Sequence, residues 1–507
     1  MNKPYVYLVG AGPGDEDLIT LKGLRCIEKA DVILYDRLAN SNLLKYKQPT
    51  AEVIDVGKAP DHHQYRQEEI NQLLVSKAKE GKIVTRLKGG DSFVFGRGGE
   101  EAIALYEENI PFEVVPGITS AIAVPTYGGI PVTHRNVSTS FHVITGHEDP
   151  TKENSTVNYE ALAKLEGTLI FLMGVGHLKE ITEKLIMHGK DKNTPAALIH
   201  RGTTARQKTV TGTLESIVEV AKNNDIKSPA IILIGDVVNL RPQLNWLQQL
   251  PLQGKRVLVT RTRQQASDLS RRLKDLGAEV IEFPTIQIEA PKNFEEIDAK
   301  LCHLKEMQHI IFTSINGVQA FFERLKVLKI DIRKIGEAKI YAIGSATKEA
   351  LEAKGVLVDK IPEVYTAEGV LEAVKELIQA GNRVLLPRAD IARKVLTEGL
   401  RAMGALVEEI DIYRTTIPSF KREDLLEILK VPVDCITFTS SSTVRNFMEI
   451  LGEENKEIIK DSKLAAIGPI TSHTAKTLGL EIAIEAEKYT IEELVKRIRE
   501  VSDLEGL

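Results

Sequence analysis

The second half of this chain repeats itself, and that repeat constrains its fold more than any other feature. RVLVTRTRQQASDLSRRLKDLGAEVIEFPTIQI from Arg256 parallels RVLLPRADIARKVLTEGLRAMGALVEEIDIYRT from Arg383. IIFTSINGVQAFFERL from Ile310 parallels ITFTSSSTVRNFMEIL from Ile436, and IYAIGSATKEALEAKG from Ile340 parallels LAAIGPITSHTAKTLG from Leu464. A last pair joins VYTAEGVLEAVKELI from Val364 to KYTIEELVKRI from Lys488, and the offset stays nearly constant throughout. Each copy alternates β-branched runs with helical spacing, the pattern of an α/β layer. Two similar lobes are expected, each with a Thr-Ser turn after one strand and an Ile-Gly turn after another. A ligand cleft between them follows, because pockets favour such interfaces.

The first half is α/β as well. Strand-like runs include Tyr5–Val9, Asp31–Tyr35, Ile83–Leu87, Phe112–Val115, Phe141–Thr145, Thr168–Met173 and Ile231–Ile234, with helical patterns between them such as Gln67–Glu80 and Leu178–Met187. Near Leu240 the pattern breaks into RPQLNWLQQLPLQGKR, and a new strand begins at Arg256. Domains are therefore expected at residues 1–246 and 254–507. A chain of 507 residues is too long for one core. The net charge of −5 gives no footing for nucleic acid, which binds to clustered basic surface. No apolar run is long enough to span a membrane, and the start lacks a signal-peptide pattern, so a cytoplasmic enzyme is expected. Cys26, Cys302 and Cys435 stand far apart, without the spacing of a metal site or a disulfide framework.

Two glycine-rich loops follow strands in the first half. Val84–Glu101 reads VTRLKGGDSFVFGRGGEE, where glycines crowd among charges at a strand end, the place where open α/β sheets hold ligands. Tyr5–Asp15 reads YVYLVGAGPGD. It departs from the dinucleotide fingerprint, because Asp15 stands where the third glycine belongs and a carboxylate opposes a pyrophosphate. An uncharged or cationic ligand suits this loop better.

GAGPGDEDLITLKG, ADVILYDRL, VGK at Val56–Lys58, RLKGGDSFVFGRGGEE, VPGITSAIAVPTYGGIPVTHR, the TLIFLMGV run and SPAIILIG together resemble the tetrapyrrole methylase family, closest to its uroporphyrinogen-III C-methyltransferases. The likeness covers about residues 3–246 in order and spacing. The second half resembles the uroporphyrinogen-III synthases, on its duplication and on FTSINGV, IDIYRT and AAIGPIT. The resemblance implies a two-subdomain methylase fold followed by a duplicated two-lobe synthase fold.

It also implies roles. Asp36 would accept a proton and Lys58 donate one, while Pro13, Gly89, Gly90, Asp91, Val94, Thr119, Ser120, Met173 and Gly202 would contact S-adenosylmethionine. Members commonly carry proline after GGD, where this chain has Ser92; a small loop adjustment is expected. The acceptor is rich in carboxylates, so Arg37, Arg86, Arg97 and Arg135 are candidates for an arginine-lined mouth. In the second half Tyr413 matches the family tyrosine proposed as acid at the leaving hydroxyl. Thr313, Ser314, Ser345, Ser440, Ser442 and Thr471 suit anionic side chains at turns and helix starts.

The implied activity is bifunctional: closure of hydroxymethylbilane to uroporphyrinogen III, then two methylations to precorrin-2, without a metal, feeding sirohaem or cobalamin synthesis. The methylase part is expected to form a homodimer. A competing reading makes the first half a methylase of another corrinoid and the second a non-catalytic tetrapyrrole-binding module. A flavin or nicotinamide oxidoreductase is a further alternative, and a purified protein with a coloured or fluorescent cofactor would mark it.

Overall fold

The computed structural model describes residues 4–57, 65–146, 157–261, 263–390, 394–416 and 422–505. Two compact units emerge, one of Met1–Arg256 with Leu273–Glu279 and Ser502–Leu507, the other of Val257–Arg272 and Val280–Val501.

The first unit holds two five-stranded sheets. The first comprises β1 (Tyr5–Gly10), β2 (Val32–Tyr35), β3 (Glu52–Asp55), β4 (Ile83–Lys88) and β5 (Phe112–Val115) in the order β3-β2-β4-β1-β5. All its pairings are parallel. Side chains alternate across a strand. Val84 thus joins Leu8, Leu34 and Leu74 on one face, while Leu87 joins Val9, Ile33 and Ile27 on the other. The second sheet comprises β6 (Phe141–Thr145), β7 (Thr168–Leu172), β8 (Pro195–His200), β9 (Lys208–Thr213) and β10 (Ala230–Ile234) in the order β6-β7-β10-β8-β9. Only its β6–β7 pair is parallel. Ile170, Ala197 and Leu233 pack there against Ala121 and Val124 of the helix Ser120–Tyr127, and this apolar cluster ties the two subdomains together.

The second unit shows how the repeat is used. Its strands are β11 (Arg256–Val259), β12 (Glu279–Glu282), β13 (Gln287–Glu289), β14 (His309–Phe312), β15 (Lys339–Ala342), β16 (Arg383–Ala389), β17 (Leu406–Thr416), β18 (Cys435–Phe438), β19 (Lys463–Ala466) and β20 (Ile484–Glu485). The sheets run β12-β11-β18-β19-β20 and β13-β17-β16-β14-β15. Neither lobe is one copy of the repeat. The first copy gives β11 and β12 to one sheet and β14 and β15 to the other; the second copy does the reverse. The two crossing segments pair with each other, Gln287–Glu289 running antiparallel to Arg414–Thr416. Neither copy completes a sheet alone, so the pair is an obligate folding unit.

A buried polar group sits at the other end of one lobe. His309, 6% exposed, faces the Tyr341 hydroxyl through Nδ1 at 3.1 Å and Asn382 Oδ1 through Nε2 at 3.2 Å. Burial holds its pKa below the usual histidine value, against the opposing pull of Asn382 and Asp359. The unfolded chain then binds the extra proton, so stability from neutral His309 is complete above pH about 6.5 and is lost as pH falls through the lower folded value. Melting at pH 7.5 and 5.5 should show a larger acid loss in wild type than in His309→Asn; equal losses would refute this role.

Candidate active sites

In the first unit the candidate methyl-donor residues come together where β1 and β4 end. The loops after these strands bind backbone to backbone: Gly90 N–H donates to Gly12 O at 2.7 Å, and Gly12 N–H to Gly90 O at 3.2 Å. Gly117 closes against them. A Cβ on Gly117 would lie 2.3 Å from Gly90 O and 2.6 Å from Gly10 Cα. Gly90, with φ of +70°, is different: a Cβ there meets only Ser120 N, at 3.8 Å. Open space thus lies above a bare backbone and beside the start of the helix Ser120–Tyr127, whose N-cap is Thr119. Gly117→Ala should therefore push these loops apart and weaken binding of S-adenosylhomocysteine about tenfold or more by calorimetry; unchanged affinity would refute the cradle.

The second subdomain completes this rim. Thr203 Oγ1 accepts from Asp15 N–H at 3.2 Å, and a Cβ on Gly202 would strike Val124 Cγ1 at 2.3 Å. Val94 packs on the cluster that contains Leu172, next to the half-exposed Met173. Phe95, Arg97, Met173, Arg201 and Thr203 all hold positive φ, a strain that concentrates around functional loops. Pro13 lies in the loop whose Gly14 O accepts from Asn40 Nδ2 at 2.7 Å.

Two carboxylates lie in these loops. Asp91 accepts from Gly117 N–H (3.0 Å) and Phe93 N–H (2.8 Å), so it clamps the loops together. Asp15 receives the Tyr127 hydroxyl at 2.9 Å, and burial together with Asp15 pushes the Tyr127 pKa up. Sequence reading had not singled out Tyr127. The Ser92 hydroxyl is buried without a partner among the described residues, while Ser92 O accepts from Gly98 N–H at 3.0 Å.

Asp36 stands just past β2. Its Oδ1 accepts from Leu38 and Ala39 N–H at 3.2 Å and from Gly89 N–H at 3.4 Å. This places it beside the glycine loop. Lys58 lies outside the described residues. Arg37 and Arg135 are exposed, as is Arg97, which pairs with Glu100 through Nε at 2.8 Å and Nη2 at 2.6 Å. Arg86 departs from the expected mouth. It is 3% exposed, because β4 is central and its outer face lies under helices, and it pairs with Glu101 at 3.1 Å and Asp36 at 3.5 Å. Glu101 and Lys88 are equally buried partners that the sequence reading passed over; alternating charges in an otherwise apolar strand, RLK, were the available signal.

In the second unit the hydroxyl residues fall at corresponding turns of the two lobes. Thr313 and Ser314 follow β14, and Ser440 and Ser442 stand beyond β18. Ser314 caps the helix Ile315–Val327 by accepting from Gly317 N–H at 3.0 Å. Ser440 caps Ser441–Leu451 in the same way and lies 2.9 Å from the Ser442 hydroxyl. Ser345 opens the helix Ser345–Glu352 after β15. Thr471 is 4% exposed and lies in the helix Pro469–Thr477. Tyr413, 7% exposed near the end of β17, sets its hydroxyl 3.0 Å from Ser314 Oγ.

A glycine-cradled site in one α/β unit, fused to a two-lobed α/β unit with paired hydroxyl turns, defines a two-part enzyme. Residues 5–218 match the tetrapyrrole (corrin/porphyrin) methylases, and residues 267–496 match uroporphyrinogen-III synthase HemD. Over 503 residues the chain is 39% identical to the porphyrin biosynthesis protein HemD of Ruminiclostridium josui, covering 99% of each. It is 57% identical over 234 residues to the uroporphyrinogen-III C-methyltransferase of Priestia megaterium, covering 46% of this chain and 98% of that one. It is also 56% identical over 235 residues to the S-adenosyl-L-methionine-dependent uroporphyrinogen III methyltransferase of Methanosarcina barkeri, covering 46% of this chain and 92% of that one. The chain belongs to the tetrapyrrole methylase family through its first half and to the uroporphyrinogen-III synthase family through its second. S-adenosylmethionine fits the first site: the open backbone at Gly90 leaves room for a ligand, and the carboxylates of Asp15 and Asp91 favour a cation.

Proposed function

We propose that the second unit closes hydroxymethylbilane to uroporphyrinogen III and that the first unit methylates this product twice, giving precorrin-2 for the sirohaem or cobalamin pathway. The observation that carries the reading is the fusion itself: one chain joins the family that makes uroporphyrinogen III to the family that methylates it. S-adenosylmethionine, when bound, supplies a methyl group whose bonding pair stays with sulfur. The pyrrole carbon that takes the methyl leaves its ring positively charged, and a proton must then be shed. Asp36, beside the donor loop, accepts that proton. Alignment matters more than nucleophile strength in such a transfer.

Arg37, Arg97 and Arg135, all exposed, are the groups offered to the substrate carboxylates. In the second unit Tyr413 assists loss of the hydroxyl, with Thr313, Ser314, Ser345, Ser440 and Ser442 and their turn amides holding carboxylates. The proposal includes a cytoplasmic homodimer formed through the methylase half, with no metal in either reaction. No helix among the described residues is long and apolar enough to cross a membrane. Incubation with hydroxymethylbilane and S-adenosylmethionine tests the whole reading. A dimethylated type III chromophore is expected; accumulation of the type I isomer would show that the second unit does not cyclise.

A further inference from the structure

Arg86 is buried, and it touches the residue assigned as proton acceptor. We propose that Arg86, itself held by Glu101, is a positioning residue that fixes the orientation of the Asp36 carboxylate during methyl transfer. The proposal rests on the reading of Asp36 as the proton acceptor.

The geometry fixes Arg86 on three sides. Nε donates to Glu101 Oε1 at 3.1 Å, Nη1 to Leu87 O at 3.2 Å, and Nη2 faces Asp36 Oδ2 at 3.5 Å. A guanidinium is a rigid planar fork, so fixing two of its edges aims the third. Its strand is paired on both sides too, with Arg86 in register with Leu8 on one side and Leu34 on the other. Asp36 needs such a pin. Backbone N–H groups anchor Oδ1 alone, and a carboxylate held at one oxygen can still swing about it. The contact at Oδ2 fixes its plane.

Glu101 reaches this cluster from the helix Gly98–Glu107, which starts within the GRGG loop. Its Oε1 collects Arg86, Lys88 at 2.7 Å and Gln67 Nε2 at 3.3 Å, while Oε2 is buried without a partner among the described residues. Burial lowers the Lys88 pKa, with Arg86 adding to the effect and Glu101 opposing it. Two cations thus share one fully buried anion, and Asp36, at the edge of the cluster, supplies the second. Buried ion pairs contribute little net stability compared with apolar packing, and an unpaired oxygen lowers that further. Orientation explains the arrangement better than stability does.

The test compares Arg86→Lys, which keeps the charge and loses the fork, with the near-isosteric Glu101→Gln, in the full chain. Binding of S-adenosylhomocysteine by calorimetry reports whether the methylase half is intact, and cyclisation of hydroxymethylbilane serves as an internal standard. Both variants are expected to keep affinity within about twofold and KM within about threefold, while kcat for methyl transfer falls about 30-fold or more. In an Asp36→Asn background, Arg86→Lys should cost nothing further, because both act through one group. A kcat within about threefold of wild type, or losses that multiply with Asp36→Asn, would overturn the proposal. Failure of both variants to bind S-adenosylhomocysteine would overturn it as well, marking the pair as structural. Full methylation by Asp36→Asn alone would instead remove the underlying reading of Asp36, a distinguishable result.

Discussion

Asp36→Asn should slow methyl transfer about a hundredfold to ten-thousandfold, the range of a lost general base, while cyclisation in the same preparation continues at the wild-type rate. The reason is geometric. Asp36 follows the apolar strand Val32–Tyr35 and lies within hydrogen-bonding reach of Gly89, the first glycine of the Gly89-Gly90-Asp91 loop proposed to hold the methyl donor. Asparagine preserves the shape and one acceptor oxygen, so Leu38 and Ala39 N–H keep a partner and the turn survives. What it cannot do is take a proton. Binding of S-adenosylhomocysteine should therefore stay within about threefold, since the loss falls on kcat and not on uniform binding. Kinetics with added uroporphyrinogen III isolate the step from its supply. A folded Asp36→Asn protein that methylates at more than about a third of the wild-type rate would remove the assignment.

Much of the fold was legible because the strands carry strong local signals. Phe112–Val115 and Phe141–Thr145 stand as read, and the other marked runs of the first half end within one residue of the reading. β3, β8 and β9 escaped. Glu52–Asp55 sets only two apolar residues between flanking charges, and Lys208–Thr213 is mostly polar, so these two edge strands lack the apolar run that marks a central one. The repeat predicted two similar lobes, but their exchange of strands depends on pairing across more than a hundred residues, as between Val257 and Cys435, which no local pattern encodes. The loops that pack at Gly12 and Gly90 were legible as glycine clusters. Arg86 was not, because an arginine reads as exposed until a buried glutamate fifteen residues onward is seen beside it.

Tyr413→Phe should slow cyclisation about a hundredfold, within the range for a lost acid or hydrogen-bond donor, and leave methylation of supplied uroporphyrinogen III intact. The phenyl ring would still fill its place in the core with Phe312, Phe321 and Ile410, so the protein should fold. Burial pushes the Tyr413 pKa up, against a smaller opposing effect from Ser314. The phenol is therefore protonated below its ordinary value of about 10, and the pH profile of cyclisation should show no limb from Tyr413 between pH 6 and about 9. Ser314 makes the assignment sharper. Its oxygen already accepts from Gly317 N–H, which leaves its own proton free to turn toward the Tyr413 oxygen 3.0 Å away. Under the proposed role, in which Tyr413 donates to a departing hydroxyl, Ser314 would stabilise the charge left on the phenol oxygen. Ser314→Ala should then cost less than Tyr413→Phe and add almost nothing to it, whereas Ser345→Ala, on a different turn, should add its small effect independently. The type III to type I isomer ratio is the deciding measurement, because hydroxymethylbilane closes to type I without the enzyme. A folded Tyr413→Phe protein that keeps the wild-type ratio and rate would reduce this tyrosine to a core residue with a capped hydroxyl.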